Sequence, residues 1–201
     1  LDAARAYVAA GFSVLPIRAD GSKRPALSEW SSLQEKRPTP EQLENWFAAG
    51  VFGIGIICGT VSDGLEVIDF DSPEAYDQWR ELVSDSGKYT THSTPSGGKH
   101  VCYRCQKPQG STKLAREKAE SSAEILAIVE TRGEGGYAVA PGSPGACHET
   151  GGLYTHFCGP PVTETIFIDD EERATLFNAA RSLNRYLTPS EVAGPPPEFA
   201  G

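Results

Sequence analysis

The chain has 201 residues, of which 39% are hydrophobic and 22% are charged, and its formal net charge is −9. This is the composition of a globular domain, and the absence of an apolar run of about 18 residues argues against a membrane span. The acidic balance also excludes a surface that is basic as a whole, which is how many proteins attract nucleic acid. We therefore expect no membrane partner.

Five dispersed cysteines are an odd number and make a poor disulfide framework. Unpaired thiols are typical of a reducing cytoplasm, so we expect a cytoplasmic protein. The sequence contains no Met, and we expect it to be one domain of a longer chain.

The first half of the chain alternates between helical and strand patterns. Thr39 is placed as a helix N-cap, Pro40 takes the first helical position, and Gln42 completes a capping box. Gly11 and Gly50 end the two predicted helices. In chain order the predicted elements are helix 2–10, strand 12–17, a cation-rich loop 18–30, helix 39–50 and a buried strand 51–59.

The second half predicts shorter elements and more strands. The apolar residues of 65–68 favour a buried strand, and Ser72 followed by Pro73 is typical of a helix start. The predicted elements that follow are helix 72–83, short strands 89–94, 100–106, 124–130, 136–141 and 153–158, and a last helix from near residue 169 to about residue 186.

This order predicts an α/β (α+β) domain over residues 1–187, with central mixed sheets. Residues 188–201 are rich in Pro and Gly and are predicted to be a linker to a further domain. No glycine-rich dinucleotide or P-loop motif lies between a strand and a helix, so neither of these nucleotide folds is indicated.

Two acids, Asp69 and Asp71, stand at the end of the apolar strand that begins at Leu65. Side chains on a strand alternate between faces, so Asp69 and Asp71 point the same way. Such a pair can repel, share a proton or share a cation, and the alternative is that both are simply solvated at a strand end. The metal hypothesis therefore needs support from elsewhere in the chain.

The sequence TPSGGKH, residues 94–100, supplies a candidate anion site. A turn containing Ser96 and Gly97 exposes backbone N–H groups, and such turns bind anions. Lys99 and His100 follow directly and would add an ammonium and an imidazole. The alternative is a hairpin turn with an incidental histidine.

The sequence VETRGEGG, residues 129–136, repeats the pattern of an acid at a strand end. Glu130 closes an apolar strand, Arg132 follows, and glycines turn the chain into the next strand. The alternative is a surface hairpin with charged ends. Three acids together with a phosphate site are the typical ligand set for divalent cations that bridge a nucleotide triphosphate. Oxygen ligands favour Mg²⁺ or Mn²⁺.

With these motifs, the chain resembles the bifunctional primase–polymerase (prim-pol) family, a branch of the archaeo-eukaryotic primases found in phages, plasmids and mobile elements. The resemblance spans most of residues 3–158. It rests on AARAYVAAGFSVLPIRADGSKRPALSEW, GIGIICGTVSDGLEVIDFD, TPSGGKHVCY and VETRGEGGYAVAPGS in this order, with Tyr154 later.

The resemblance implies roles for particular residues. Asp69, Asp71 and Glu130 match the catalytic, metal-binding acids of the family, although the third acid there is usually Asp. His100 matches the histidine that binds nucleotide phosphate. Ser96 and Gly97 belong to the same motif, and Lys23 and Arg132 lie in matching blocks as weaker candidates for phosphate or template contacts.

The resemblance further implies a two-lobed fold with an RRM-like catalytic sheet. The implied activity is template-directed synthesis from NTP or dNTP, which makes primers de novo and extends them on single-stranded DNA in phage or plasmid replication. Two Mg²⁺ or Mn²⁺ ions would be the cofactors, a helicase domain in the same chain a partner, and a bacterial cell or phage-infected host the location. Without metal, one of Asp69 and Asp71 should have a raised pKa.

Three other functions are less well supported. Zinc has candidate ligands in Cys102 and Cys105 and, further along the chain, in Cys147, His148, His156 and Cys158. Cys102 and Cys105 lie three apart on a predicted strand and should face opposite ways, so zinc is not favoured. A glycosidase would leave the Ser-Gly-Gly-Lys-His turn without a role. The serious alternative is a non-catalytic, primase-like module that binds nucleotide or single-stranded DNA as a replication initiator.

If DNA binds this acidic chain, it must use a local basic patch. The stretch 106–118 is predicted to be a loop and holds the densest group of cations. The candidates along the whole chain are Lys23, Arg24, Lys36, Arg37, Lys99, Arg104, Lys107, Lys113, Arg116 and Lys118.

Overall fold

The computed structural model describes residues 1–48, 50 and 52–186. The helices are α1 (Asp2–Ala9), α2 (Pro40–Ala48), α3 (Pro73–Leu82) and α4 (Asp170–Arg181). The strands are β1 (Ser13–Ile17), β2 (Gly53–Ile57), β3 (Leu65–Phe70), β4 (Thr90–Ser93), β5 (Lys99–Arg104), β6 (Lys113–Lys118), β7 (Ile125–Arg132), β8 (Tyr137–Val139) and β9 (Thr155–Cys158). The α+β class predicted from the sequence is confirmed.

The larger sheet has six strands in the order β6-β7-β3-β5-β4-β9. Helix α3 connects β3 to β4, and β5 returns between these two strands, which makes a split βαβ unit. The four central strands therefore lie in the order β7-β3-β5-β4, as expected for an RRM-like sheet. All ladders between the strands of this sheet are antiparallel. The prediction of a mixed sheet is therefore wrong for the larger sheet.

The smaller sheet has the order β1-β2-β8 and is also antiparallel throughout. Its apolar side chains, such as Val14 and Ile56, share one buried cluster with Leu65, Val67 and Cys102 of the larger sheet. The two sheets thus pack against each other, and this contact surface is where the polar site described below lies.

The opposite face of the larger sheet is covered by α3 and α4. Ile68 and Phe70 of β3 pack there with Trp79, whose indole N–H donates to the Leu176 carbonyl at 3.1 Å. A buried ion pair also fixes α4, because the Arg173 guanidinium donates to the fully buried Glu66 carboxylate at 2.6 and 2.8 Å. This side of β3 is structural, and the other side carries the acids.

Local sequence signals placed most helix ends correctly. The capping box of α2 is present, with Thr39 N–H donating to Gln42 at 2.8 Å and Gln42 N–H donating to Thr39 at 3.2 Å. Ser72 caps α3 as predicted. Helix α4 ends at Arg181 instead of near Tyr186, because Asn184 and Arg185 bond to the backbone at the edge of β6.

Strand β6 lies in the stretch that was predicted to be a loop. Only Leu114 and Ala115 of this strand are buried, and the charged residues around them hide the strand pattern. Charged side chains are common on edge strands, where they oppose pairing with other molecules. The prediction of a linker at residues 188–201 falls outside the described residues. In the described part of the chain, no helix has the length and apolar character that crossing a membrane requires.

Candidate active site

The alternation of β3 delivers its acids to the surface between the two sheets. Leu65 and Val67 point into the cluster shared with the smaller sheet, and Asp69 is the next residue on that face. Asp71 follows the last residue of the strand, and both acids line the same cavity. The predicted common orientation of Asp69 and Asp71 is therefore confirmed.

Strand register brings the other predicted groups to Asp69. His100 of β5 lies directly opposite Asp69 on one side, and Glu130 of β7 lies opposite it on the other. Cross-strand partners share a face of the sheet, so these three side chains form a row. The complete row across the sheet is Lys113, Glu130, Asp69, His100, His92 and His156.

Asp69 is paired with two side chains, those of His100 and Arg132. Its carboxylate oxygens lie 3.3 Å from His100 Nε2 and 3.3 Å from Arg132 Nη2, and Arg132 also pairs with Glu130. Only 7% of the residue is exposed. Burial acts to raise the pKa of Asp69, but His100 and Arg132 outweigh it and the net pKa is lowered. Asp69 is therefore held as a carboxylate.

Asp71 has the opposite electrostatic balance. Loss of hydration raises the pKa of its carboxyl to about 6, and the charges of Asp69 and Glu130 add to the increase, against a smaller contribution from Arg132. The residue as a whole is still exposed, so water screens part of this effect. The sequence prediction that one acid of the pair has a raised pKa is confirmed, and that acid is Asp71.

The turn between β4 and β5 differs in detail from the predicted phosphate site. Ser96 lines the cavity, but the Gly97 N–H donates to the Thr94 carbonyl at 3.0 Å and so closes the turn itself. Lys99 was predicted to join His100, yet it points to the other face, 4.8 Å from the Phe157 ring centre. Adjacent strand residues face opposite ways, so only one of Lys99 and His100 can reach the cavity.

The cavity has a volume of about 260 Å³, slightly below the roughly 300–1,000 Å³ of most small-molecule sites. Six of the eight predicted site residues line it, whereas Glu130 reaches it through Arg132 and Gly97 stays in the turn. The lining residues that the sequence had predicted are Lys23, Asp69, Asp71, Ser96, His100 and Arg132.

Several lining residues were not predicted. Trp30 and Tyr137 contact edge to face, with ring centres 5.6 Å apart, and Tyr137 donates from its hydroxyl to the Lys23 carbonyl at 3.0 Å. The sequence pattern had pointed to His148 only as a zinc candidate. The sequence around His148 has no strand or helix pattern, so it gave no signal that this histidine lies at the cavity.

The cysteines do not converge on one place. Cys102 and Cys105 belong to different buried clusters on opposite faces of the larger sheet, as the strand argument predicted, and Cys147 lies in a third cluster. All five thiols are free. Their burial raises the pKa of Cys102 to about 12 and of Cys105 to about 11, so both are unreactive thiols near neutral pH.

The chemistry of the acids suits a divalent cation. Asp69 and Asp71 present oxygen donors to one cavity, and the charges of Asp69 and Glu130 lie close enough to Asp71 to act on its carboxyl. The acids are not closed around an ion, however. Among the described residues, no group of three or more His, Cys, Asp or Glu side chains is arranged to hold a metal, and Arg132 links Asp69 to Glu130.

A family model described as "Bifunctional DNA primase/polymerase, N-terminal" matches residues 4–168. The chain belongs to this family. The match contains every predicted site residue from Lys23 to Arg132, and it stops before α4. A comparison with curated proteins gives no match.

Membership of the bifunctional primase/polymerase family supports DNA primase and polymerase activity, and with it nucleotidyl transfer. Within this family domain, the acids and His100 occupy one face of the RRM-like sheet. Every residue that lines the cavity lies within the matched stretch.

Proposed function

We propose that the chain is a metal-dependent nucleotidyltransferase that makes primers de novo on single-stranded DNA and extends them. The observation that carries the proposal is the row of Glu130, Asp69 and His100 across the sheet, beside Asp71, in a chain of the primase/polymerase family. An incoming NTP or dNTP would enter the cavity with its phosphates toward Ser96 and His100.

The protein groups would divide the work as follows. His100 already donates toward Asp69 through Nε2, and as an imidazolium it could also donate from Nδ1 to a phosphate oxygen. Arg132 would supply a guanidinium beside the negative charge of the substrate, and Lys23 a flexible ammonium at the cavity wall. Trp30 and Tyr137 would give the nucleotide an apolar neighbour.

Asp69, Asp71 and Glu130 would hold Mg²⁺ or Mn²⁺. When bound, such ions polarise the phosphates and the attacking hydroxyl. To hold a cation, Asp69 or Glu130 would have to give up its contact with Arg132.

A binding-only replication initiator is the second candidate. Such a module would need affinity for nucleotide or DNA, but it would not need catalytic acids. The acids here lie together with one carboxyl of raised pKa, and perturbed carboxyls of this kind cluster at catalytic sites. We therefore favour the enzyme.

The deciding experiment measures nucleotide incorporation on a single-stranded template with Mg²⁺ or Mn²⁺, with and without a primer. Asp69→Asn and Asp71→Asn should abolish product, while Asp77→Asn, an exposed acid of α3, should retain it. Binding of template without any product in the wild-type protein would favour the initiator.

A second variant tests the phosphate assignment. His100→Ala should raise the KM for nucleotide more than the Kd for template, because its partner is a phosphate of the nucleotide. An unchanged KM would leave His100 as a partner of Asp69 alone.

The setting of the reaction is also part of the proposal. The family resemblance implies replication of a phage, plasmid or mobile element, in a bacterial cytoplasm, with a helicase domain in the same full-length chain. Reconstitution of primer synthesis with the full-length protein and a replicating helicase tests this, and independence from any helicase would argue against it.

A further inference from the structure

A second histidine, His148, lies on the cavity wall beside the predicted site. We infer that His148 donates a hydrogen bond from Nε2 to the phosphates of the incoming nucleotide. The inference rests on the proposed function, since it names a further contact of the same substrate.

The first step is the position of the proton on the imidazole ring. The backbone N–H of Thr150 points to His148 Nδ1 at 3.2 Å. A backbone N–H can only donate, so Nδ1 must carry the lone pair. The Thr150 hydroxyl lies 3.0 Å from the same nitrogen. A neutral imidazole with an accepting Nδ1 keeps its single proton on Nε2.

The second step is the direction of that proton. Only 4% of His148 is exposed, yet no other group in the described part of the chain pairs with Nε2. Nε2 is also not among the fully enclosed polar atoms that lack a partner. The remaining route is the cavity that His148 lines, so the N–H is available there to an acceptor.

The third step is the charge around His148. Burial, then the nearby Lys23, lowers the pKa of His148, so the ring stays neutral near pH 7. A backbone bridge from Ser22 to His148 and a bond from Gly21 N–H to the Ala146 carbonyl at 2.8 Å fasten the Lys23 loop to this segment. A fixed N–H donor beside an ammonium is suited to an anionic oxygen.

Two substitutions separate this role from a structural one. In His148→Asn, the amide oxygen can replace Nδ1 as the acceptor for Thr150, but nothing replaces Nε2–H. In His148→Gln, the longer side chain can present an N–H near the position of Nε2. A turn-holding histidine is therefore rescued by Asn, and a nucleotide-contacting histidine by Gln. His156→Asn, on exposed β9, is the matched control.

The experiment uses the intact chain with Mn²⁺. It measures the KM for dNTP, the displacement of a fluorescent dNTP by inorganic triphosphate, and thermal unfolding as a check on folding. Because a hydrogen bond to a charged group is at stake, His148→Asn should raise the KM and weaken triphosphate competition about tenfold. His148→Gln should stay within about threefold of the wild type, and His156→Asn should match the wild type.

The inference is overturned if His148→Gln performs no better than His148→Asn, or if His148→Asn weakens dNTP but not inorganic triphosphate. The second result would assign the contact to the sugar or base. A wild-type protein that binds no nucleotide would refute the proposed function instead, so the two failures are distinguishable.

Discussion

Arg132 holds two carboxylates that lie opposite each other on neighbouring strands. Asp69 is almost fully buried, and Glu130 is its cross-strand partner. Like charges in this position repel, and the guanidinium between them converts the repulsion into attraction. The guanidinium of Arg132 thus holds the two carboxylates together.

We predict that Arg132→Gln destabilises the metal-free protein by about 1–3 kcal/mol, because Glu130 loses its guanidinium partner and the buried Asp69 keeps only His100. Mn²⁺ should raise the Tm of this variant more than that of the wild type, since the cation then replaces the lost charge. Thermal unfolding with and without Mn²⁺ measures both effects.

Arg80→Gln, an exposed arginine 4.0 Å from Asp77, is the control and should change neither quantity. Equal Mn²⁺ stabilisation of wild type and Arg132→Gln would mean that the cation does not bind where Arg132 acts.

Asp71 makes stability depend on pH in the absence of metal. Its pKa is about 6 in the folded protein, above the ordinary value of 3.8, so the folded state binds more protons between these values. The stability from the protonated carboxyl is complete below pH 3.8 and is lost as pH rises through 6. Asp71→Asn removes this loss.

We therefore predict that raising the pH from about 5 to about 7 lowers the Tm of the metal-free wild type relative to that of Asp71→Asn. Saturating Mn²⁺ should cancel the difference, because the cation favours the ionised carboxyl. Thermal scans at the two pH values decide it, and a parallel response of the two proteins would show that Asp71 titrates normally.

At the scale of elements, the hairpin between β4 and β5 sets the position of His100. Gly98 packs against β3 so closely that a Cβ there would lie 2.1 Å from the Phe70 carbonyl oxygen. Gly97 has a φ of +96°, but a Cβ there would meet only Pro73 Cγ at 3.5 Å. Gly98, not Gly97, is the glycine required for close approach.

Gly98→Ala should therefore push β5 away from β3 next to the Asp69–His100 pair, and it should reduce both stability and nucleotide incorporation strongly. Gly97→Ala should cost only about 1–2 kcal/mol, the usual penalty for a left-handed backbone. Urea unfolding and the incorporation assay compare the two.

Gly110→Ala is the control, because a Cβ at Gly110 meets nothing within 4 Å. A Gly97→Ala variant more damaged than Gly98→Ala would show that the turn conformation matters more than the contact between strands.

At the scale of the whole molecule, several candidate cations are already engaged. Arg37 and Arg104 lie 2.5 and 3.5 Å from Asp63, and Lys99 stacks on Phe157. With a net charge of −9, the surface field does not attract DNA. The proposed template binding would then depend on a few cations, such as Lys113, which lies opposite Glu130.

We predict weak, sequence-tolerant binding of single-stranded DNA with a shallow salt dependence, about −0.7 in log K per phosphate contact. Nucleotide and Mn²⁺ should strengthen it, because the cation reduces repulsion between the acids and the DNA backbone. Titration of a fluorescent oligonucleotide at several salt concentrations measures the slope.

Lys113→Gln should remove about one phosphate contact and so make the slope shallower by about 0.7. Arg37 is already paired with Asp63, so Arg37→Gln should leave the slope unchanged. Tight, metal-independent binding with a steep slope would contradict this prediction and favour the initiator.

The sequence by itself determined what depends on local geometry and on motifs. Strand alternation placed Asp69 and Asp71 on one face and separated Cys102 from Cys105. The side-chain rules for caps located the starts of α2 and α3. The ordered motifs identified the family, because the spacing of Asp69, His100 and Glu130 is a property of the chain itself.

Only the tertiary structure decided which groups meet. The register that sets Glu130 and Arg132 beside Asp69 depends on contacts between segments distant in sequence, and so does the arrival of His148 and Trp30 at the cavity. The hidden edge strand β6 has the same cause, since its pairing with β7 overrides a charged local pattern. Local propensities are weak compared with the packing of two sheets, so long-range packing fixed these positions.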